Sequence, residues 1–540
     1  MGSNVLSIGQ SALNAAQLGI SVTGHNIANA ATPGYSRQEL IQSAGPAQDY
    51  GFGFLGQGTQ INAIKRVYSE LLSRQLNTAQ SNSNATNTYA TQIKQIDNML
   101  ADPAAGLSPS LQQFFSSIQK LSSNPGDAAT RQAVISSAES LSYRFNTLGN
   151  RLDEIRDGVN SELSTNTKLV TSYATQIAQL NDVISKAIGA DSNAPPNDLM
   201  DQRDLLVTEL NKLVKTTVFS QNDGSYNVFA GNGLPLVVGN KSYGLTTVNA
   251  SSDPSHLDVA YVSNVITPLA DSSLPGGSIG GLLQFRSESL DNMQNQLGQI
   301  ATVFAQTFNT QHQLGYDSTG NLGTAFFNVP SPDVFKDATA STASSLSVSI
   351  SNISALTASD YRLKYDGSNY SITKLSNNSV QSFSSLPQTL DGLTFNGTMS
   401  AGDSFLIQPT RNSATTISVA MNDIAKIAAA DNIGGSGNNK NALLLAGLQK
   451  TGTINGTTSY ESAFGQIVSS IGYRTNELKI SGAAEDVILT QTIAAQQAES
   501  GVNLDEEAAN LIRYQQAYQA AGKVMQIAST LFDTLLTLGR

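Results

Sequence analysis

Two glycine patterns, three histidines and one acidic loop are the parts of this chain whose residue types and spacing could do chemistry. Gly51-Phe52-Gly53-Phe54-Leu55-Gly56 fits G-x-G-x-x-G, the loop in which glycines let a pyrophosphate approach backbone N–H groups at a helix start. That chemistry needs a buried strand before the loop, a helix opening in it and an acidic residue some twenty positions on. Here Ala44–Asp49 is polar, Gln57–Ala63 reads as a strand and Glu70 falls on a helix, so the pattern predicts a glycine-rich hairpin. Gly276-Gly277-Ser278-Ile279-Gly280 fits the G-x-S-x-G nucleophile elbow. An elbow needs a buried strand ahead of it and a His base nearby, whereas Ala270–Pro275 reads as a loop and His312 ends the following helical segment. His25, His256 and His312 have no second His or carboxylate at metal-ligand spacing. Asp317-Ser318-Thr319-Gly320-Asn321 lacks the bidentate Glu of a calcium loop and reads as a β-turn. With no Cys, thiolate nucleophiles, thiolate metal sites and disulfides are excluded. The expectation is a protein that is not an enzyme, with no catalytic residue, no metal and no cofactor.

Composition narrows the partners. Only 13% of the 540 residues are charged and the net charge is −11, which disfavours a nucleic-acid backbone as partner and suits packing against like subunits. No run approaches the ~20 apolar residues of a membrane span, and no basic region followed by an apolar stretch opens the chain. No membrane and no cleaved secretory signal are therefore expected; export would need another route.

The elements that would carry these residues are mostly helices. The first shows one stripe, Leu6, Gly9, Leu13, Ala16, Ile20, Thr23, Ile27, in steps of three and four. The last repeats it with Leu504, Ala508, Leu511, Gln515, Tyr518, Gly522, Met525, Ser529, Phe532 and Leu536. A second row, Val524, Ala528, Leu531, Leu535 and Leu538, broadens that face. Asp505 is the N-cap candidate, with Glu506 and Glu507 in the first turn. Seams of Ala, Gly, Gln and Thr bury little area, and at ~25 cal/mol per Å² they give a monomer little drive to order its ends. The stripes are therefore expected to form an assembly interface through Leu6, Leu13, Ile20, Ile27, Leu504, Leu511, Tyr518, Met525, Phe532 and Leu535.

Between the ends, helix is expected to resume near Arg66. A long rod follows, with Val134, Ala138, Leu141, Phe145, Leu148, Leu152, Ile155 and Val159 in register. The register lapses at Glu162 and Asn166, a possible break, then returns at Leu169, Tyr173, Ile177, Leu180 and Ile184. A helix from Asp198 to about Val214, hairpins over about 216–270 and a helix from Gly281 to about Leu314 come next. Residues 341–410 alternate as β structure, and helical texture resumes near Ile417, interrupted at 433–441. The fold class is α+β and multidomain, with discontinuous helical coiled-coil and bundle domains formed by both ends of the chain. The domains expected are 1–65 with 501–540 (terminal assembly), 66–335 with 413–500 (helical rod) and 336–412 (outer β domain).

The stretch from Ser11-Ala12-Leu13 to Asn26-Ile27-Ala28-Asn29-Ala30-Ala31-Thr32-Pro33-Gly34-Tyr35-Ser36-Arg37-Gln38 resembles the bacterial flagellar axial proteins of the rod, hook and hook-associated class. Four further stretches are similar to the hook-associated members at the hook–filament junction. They are Asn197-Asp198-Leu199-Met200-Asp201-Gln202-Arg203-Asp204, the run Asp223–Val228 with Gly233–Val237, the run Gly280–Arg286 leading to Phe308–His312, and Ser500–Leu511 with Tyr514–Tyr518.

This resemblance implies a structural subunit that self-associates in a ring or helical lattice between hook and filament. It would touch the hook protein on one side and a second junction protein on the filament side. It also implies secretion through the flagellar type III pathway. A dedicated export chaperone would cover the C-terminal helix at Leu511, Tyr518, Val524, Leu531 and Leu535. Three rivals remain open: a hook or distal-rod subunit, a Ser278-dependent hydrolase, and an adhesive protein displaying 341–410.

Overall fold

In a computed structural model that describes residues 2–49, 51, 53–101, 106–435 and 437–538, the two ends of the chain lie side by side. Helix α1 (Gly2–Asn29) runs along α11 (Leu504–Leu538), and α2 (Glu70–Ala101) runs along α10 (Tyr460–Ser500). The architecture is α+β, with helical layers built from both halves of the sequence and β structure inserted between them.

The longest element is α4 (Ala128–Ala190), 63 residues in one unbroken helix, about 95 Å at 1.5 Å per residue. Asp127 starts it by accepting the Thr130 N–H at 3.0 Å. The possible break at Glu162–Asn166 does not occur, because the buried line shifts by a residue instead of stopping. Val159, Leu163, Thr167, Val170, Ala174, Ile177, Asn181 and Ile184 carry it, and Leu169 is exposed. Helices α3 (Leu107–Ser123), α5 (Asn197–Leu213) and α7 (Asp291–His312) pack around α4. Near the α3 end, Phe304 is fully buried among Phe114, Phe115, Phe145, Phe308, Phe327 and Tyr460.

Three expected boundaries move. Arg66 is the last residue of a strand, and α2 begins at Glu70, where Leu76, Ala79, Tyr89, Ile93, Ile96 and Leu100 set its buried face. The helix expected from Gly281 starts four residues earlier, as α6 (Gly277–Phe285). It joins α7 through a wider π turn at Arg286–Leu290, where Arg286 reaches out to both oxygens of Asp271. Among the described residues, 417–439 hold no α-helix. Asp423 caps a 3₁₀ turn at Ile424–Lys426, and helix returns only at α9 (Lys440–Gly447), after the four-residue α8 (Ser413–Thr416).

A four-stranded sheet over 216–242 and a three-stranded sheet over 244–268 lie along α4. Residues 333–408 fold into a five-stranded and a three-stranded antiparallel sheet. This β unit is anchored to the helices by Arg411, whose guanidinium is buried against Asp253, Asp291 and Asp360. Near the N-terminus, strands β1 (Gln38–Ala44) and β4 (Thr59–Arg66) pair antiparallel from Gln38–Arg66 out to Ala44–Thr59. The connection between them folds into the small hairpin β2 (Gln48–Asp49) and β3 (Phe54–Leu55). The G-x-G-x-x-G stretch is thus a hairpin, although Phe52 lies outside the described residues.

Candidate assembly joint and terminal helices

The chain leaves α1 through a turn that a single asparagine holds shut. Asn26 is buried; its amide donates to the Gln38 carbonyl at 2.9 Å, and its oxygen accepts from Gln38 N–H at 3.0 Å and the Tyr35 hydroxyl at 2.7 Å. Gly34 has φ 78°, and a Cβ there would sit 3.1 Å from Leu205, so glycine both makes the turn and lets it rest on α5.

The first turns of α5 supply three carboxylates to this turn. Asp198 accepts from Gln38 Nε2 at 2.8 Å and lies 3.3 Å from His25. Asp201 accepts from Ser36 N–H and Oγ–H, both at 2.9 Å, and from Arg66 at 2.8 Å. Asp204 accepts from the same Arg66 nitrogen at 2.6 Å. The side chains of Arg66 and Asp201 are 7% and 6% exposed. Burial pushes the Asp201 carboxyl above the usual range, against the pull of Ser36 and Arg66. Burial also works against the Arg66 charge, but Asp204 and Asp201 outweigh it and hold the guanidinium protonated. Burial, with Asp198 and Asp201 next, raises the Tyr35 phenol so that it stays a donor. Asn197 completes the joint, donating to Gln38 Oε1 and the Ile64 carbonyl. Behind it Arg203, fully buried, stacks on Tyr226 at 3.4 Å and donates to Asn181 and the Gly224 carbonyl.

The C-terminal arm meets the same turn. Arg37 N–H donates to the Ser500 carbonyl at 2.8 Å, and its guanidinium donates to Glu506 at 2.7 Å. The cap of α11 is Asn503, whose Oδ1 accepts from Asp505 N–H at 3.0 Å; the expected cap Asp505 instead sits inside the first turn.

Beyond the joint the two terminal helices touch closely over small residues. A Cβ on Gly9 would fall 2.9 Å from Met525 Sδ, and one on Gly19 2.5 Å from the Tyr514 ring. Ala15, Ala16, Val22, Ala521 and Ala528 are buried here. Among the expected interface residues, Leu6, Leu13, Ile20, Ile27, Leu511 and Met525 are half-buried. Leu504, Tyr518 and Phe532 are exposed, as are Val524 and Leu531; the Leu535 side chain lies outside the described residues. Of the small residues expected in the C-terminal seam, Ala508 is exposed and Gly522 faces open space.

The chemistry-bearing candidates are not brought together. Ser278 Oγ accepts from Asn166 at 3.2 Å, while His312 lies 34 residues on, about 50 Å along the helical path. His256 lies between Asp253 and Asp291, but Arg411 occupies the space between those carboxylates. Among the described residues no cluster of three or more His, Cys, Asp or Glu could hold a metal, and no described helix is long and apolar enough to cross a membrane. Asp317 accepts from the Thr319 and Asn321 N–H groups, which makes its segment a turn.

His312 is structural: one ring nitrogen donates to the Thr324 carbonyl and the other accepts from Ala428 N–H. Burial lowers its imidazole from 6.5 to about 4. The unfolded chain therefore takes a proton that the folded chain refuses. Stability is full above pH 6.5 and falls, by about 3 kcal/mol in all, as pH drops to about 4. Denaturant midpoints measured across that window should fall steeply for the parent and much less for His312→Gln. Equal slopes would contradict the assignment.

The joint was not legible in the sequence as a site. Asp198, Asp201, Asp204, Asn197, Ser36 and Gln38 lie in the stretches that carry the family resemblance and Arg66 lies outside them, but only the fold brings them into contact. Ends that pair with each other, lock to a rod through buried polar contacts and turn apolar side chains outward define a structural assembly subunit.

Models of known families match along the chain. They are the flagellar hook-associated protein FlgK helical domain at 93–327, the flagellar hook-associated protein 1 D2-like domain at 335–409, the flagella basal body rod protein at 6–35 and the flagellar basal body rod FlgEFG C-terminal at 490–538. The chain is 37% identical to flagellar hook-associated protein 1 of Escherichia coli, over 99% of this chain and 100% of that one. It is 38% identical to the Salmonella typhimurium protein over the same shares, and 26% identical to the Bacillus subtilis protein over 98% and 97%. The solved structure of the flagellar hook junction protein FlgK from Burkholderia pseudomallei superposes with a TM-score of 0.74 at 30% identity, over 79% of this chain and 100% of that one. The chain belongs to the flagellar hook-associated protein 1 family, whose members are structural and not enzymes.

Proposed function

We propose that this protein is a subunit of the junction between hook and filament, assembled with further copies of itself through the outward faces of its terminal helices. The observation that carries this reading is the set of large apolar side chains that α11 leaves exposed along its length: Leu504, Ile512, Tyr518, Val524, Ile527, Leu531 and Phe532. Isolated chains seldom leave so many large apolar side chains of one helix in water, and neighbouring subunits are the natural cover. Its place beside the hook protein and a second junction protein is inferred from the family and from the Burkholderia relative, a flagellar hook junction protein. In this reading 1–65 with 501–540 form the assembly module. The helical rod of 66–335 with 413–500 keeps its orientation when the hook transmits torque, and the β unit of 336–412 projects outward.

Export follows the same physics. A chain without Cys can be threaded unfolded without cross-linking. Before assembly the α11 face would be held by an export chaperone at Leu511, Tyr518, Val524, Leu531 and Leu535, a helix lying in a groove. Leu13 is half-buried and Phe532 is 52% exposed, so Asp at either position should spare the rod. Leu13→Asp and Phe532→Asp should be secreted and melt like the parent, yet leave hooks without filaments in electron micrographs. Normal filaments in both would refute the reading.

A further inference from the structure

The small hairpin on the terminal module points two apolar side chains into water. Phe54 is 76% exposed and Leu55 53%. Gly51 and Gly53, at φ 78° and 149°, would meet nothing within 4 Å if they carried a Cβ, so the tip stands clear of its own chain. Exposed aromatic and aliphatic side chains on a hairpin mark a contact surface. Asp49 on the hairpin accepts from Gly51 N–H and makes no ion pair among the described residues.

At the joint lies a cavity of about 600 Å³ between β4, α2, α5 and α10. Its walls include Tyr68, Leu76, Met200, Leu205, Val218 and Ile493. Lys65, Arg66, Arg74 and Lys212 also line it; the last three are ion-paired, Arg66 with Asp201 and Asp204, Arg74 with Glu70 and Lys212 with Glu209. Lys65 is exposed and has no ion-pair partner among the described residues.

The hairpin cannot reach this cavity in its own copy. The β1–β4 ribbon separates them: its Gln38–Arg66 end is at the joint, and its Ala44–Thr59 end, roughly 20 Å away at ~3.4 Å per residue, carries the hairpin. There Gly58 packs against Ile8 and Ser11 of α1. Knob and socket therefore sit at opposite ends of one rigid ribbon. Such a pair is satisfied only head to tail, and a heterologous contact of that kind closes a ring or continues a helical lattice.

We propose that the β2–β3 hairpin of one copy inserts Phe54 and Leu55 into the joint cavity of a neighbouring copy, with Asp49 meeting Lys65. This rests on the self-assembly reading above and adds to it a specific contact. The absence of Cys makes cross-linking clean. Copies carrying Phe54→Cys and copies carrying Met200→Cys should be co-assembled on hooks and oxidised. A covalent dimer should form from the mixture and from neither variant alone. Assembled particles that give no dimer would overturn the contact while leaving self-assembly intact. Failure of the Cys-free parent to associate at all would overturn both readings. Charge exchange is the second arm. Asp49→Lys and Lys65→Asp should each lower incorporation roughly tenfold, and the double variant should restore it. A double variant no better than the singles would also overturn the contact.

Discussion

Asp201→Ala should release the terminal module from the rod while the rod itself stays folded. The carboxylate accepts from Ser36 N–H, Ser36 Oγ–H and Arg66, and its loss leaves a guanidinium that is 7% exposed with Asp204 as its remaining carboxylate. Removing one partner of a buried ion pair costs about 3–5 kcal/mol, because the other charge stays desolvated. The cost is local, since the residues that Asp201 holds are the turn at 34–38 and the end of β4. Amides of β1 and β4 should therefore exchange with solvent on the order of a hundredfold faster or more in the variant, while those of α4 and α7 are unchanged. Assembly should fail in parallel, since the terminal helices no longer hold a fixed angle to the rod. Unchanged exchange in β1 and β4 would show that Asp204 alone can hold the joint.

Phe304→Ala tests the opposite end of the rod. Its ring meets six others, with centroids from 5.0 Å at Phe327 and 5.4 Å at Tyr460 out to 6.5 Å at Phe145, and these rings come from α3, α4, α7 and α10 as well as the segment after α7. No helix can move in to fill the space without dragging the others. The variant should lose about 3–5 kcal/mol and melt roughly 4–7 °C lower. The joint should keep its exchange protection, which separates this loss from that of Asp201→Ala. A loss below about 1 kcal/mol would mean the core collapses around the gap.

The periodic parts of the fold were readable because helices of this kind are set by local spacing. Leu6, Leu13, Ile20 and Ile27 recur every seven residues and do lie together on one side of α1, half-buried. Reading failed where apolar spacing and backbone shape part company. Ile417, Met421, Ile424, Ile427 and Ala428 recur in helical steps, and most are buried, yet Asp423 pulls the chain into a 3₁₀ turn and the segment runs irregularly over α4. The stripe of Leu169, Tyr173, Ile177, Leu180 and Ile184 held only in part, with Ile177 and Ile184 buried and Leu169 exposed, for a different reason. Thr167, Ala174 and Asn181 are the residues facing inward, and Asn181 earns its burial by bonding Tyr226 and Gly239. Hydrophobicity alone cannot reveal such a residue. The joint lay further out of reach, since Ser36 and Asp201 are 165 residues apart and meet only once α5 and the β1–β4 ribbon are in place.

The terminal helices differ from the rod in what they bury. Their contact is mainly alanine and glycine, whereas α4 and α7 bury Leu, Ile, Val and Phe throughout. At ~25 cal/mol per Å² the small residues offset little of the conformational entropy lost by two long helices. Hydrogen exchange on the free, full-length protein, followed residue by residue, reads this difference directly. Residues 4–25 and 515–534 should exchange within seconds while the joint at 36–41 and 61–66 is protected, and in assembled junctions the two terminal helices should become protected as well. A free monomer whose terminal helices are protected as strongly as α4 would contradict the claim that neighbouring subunits complete them.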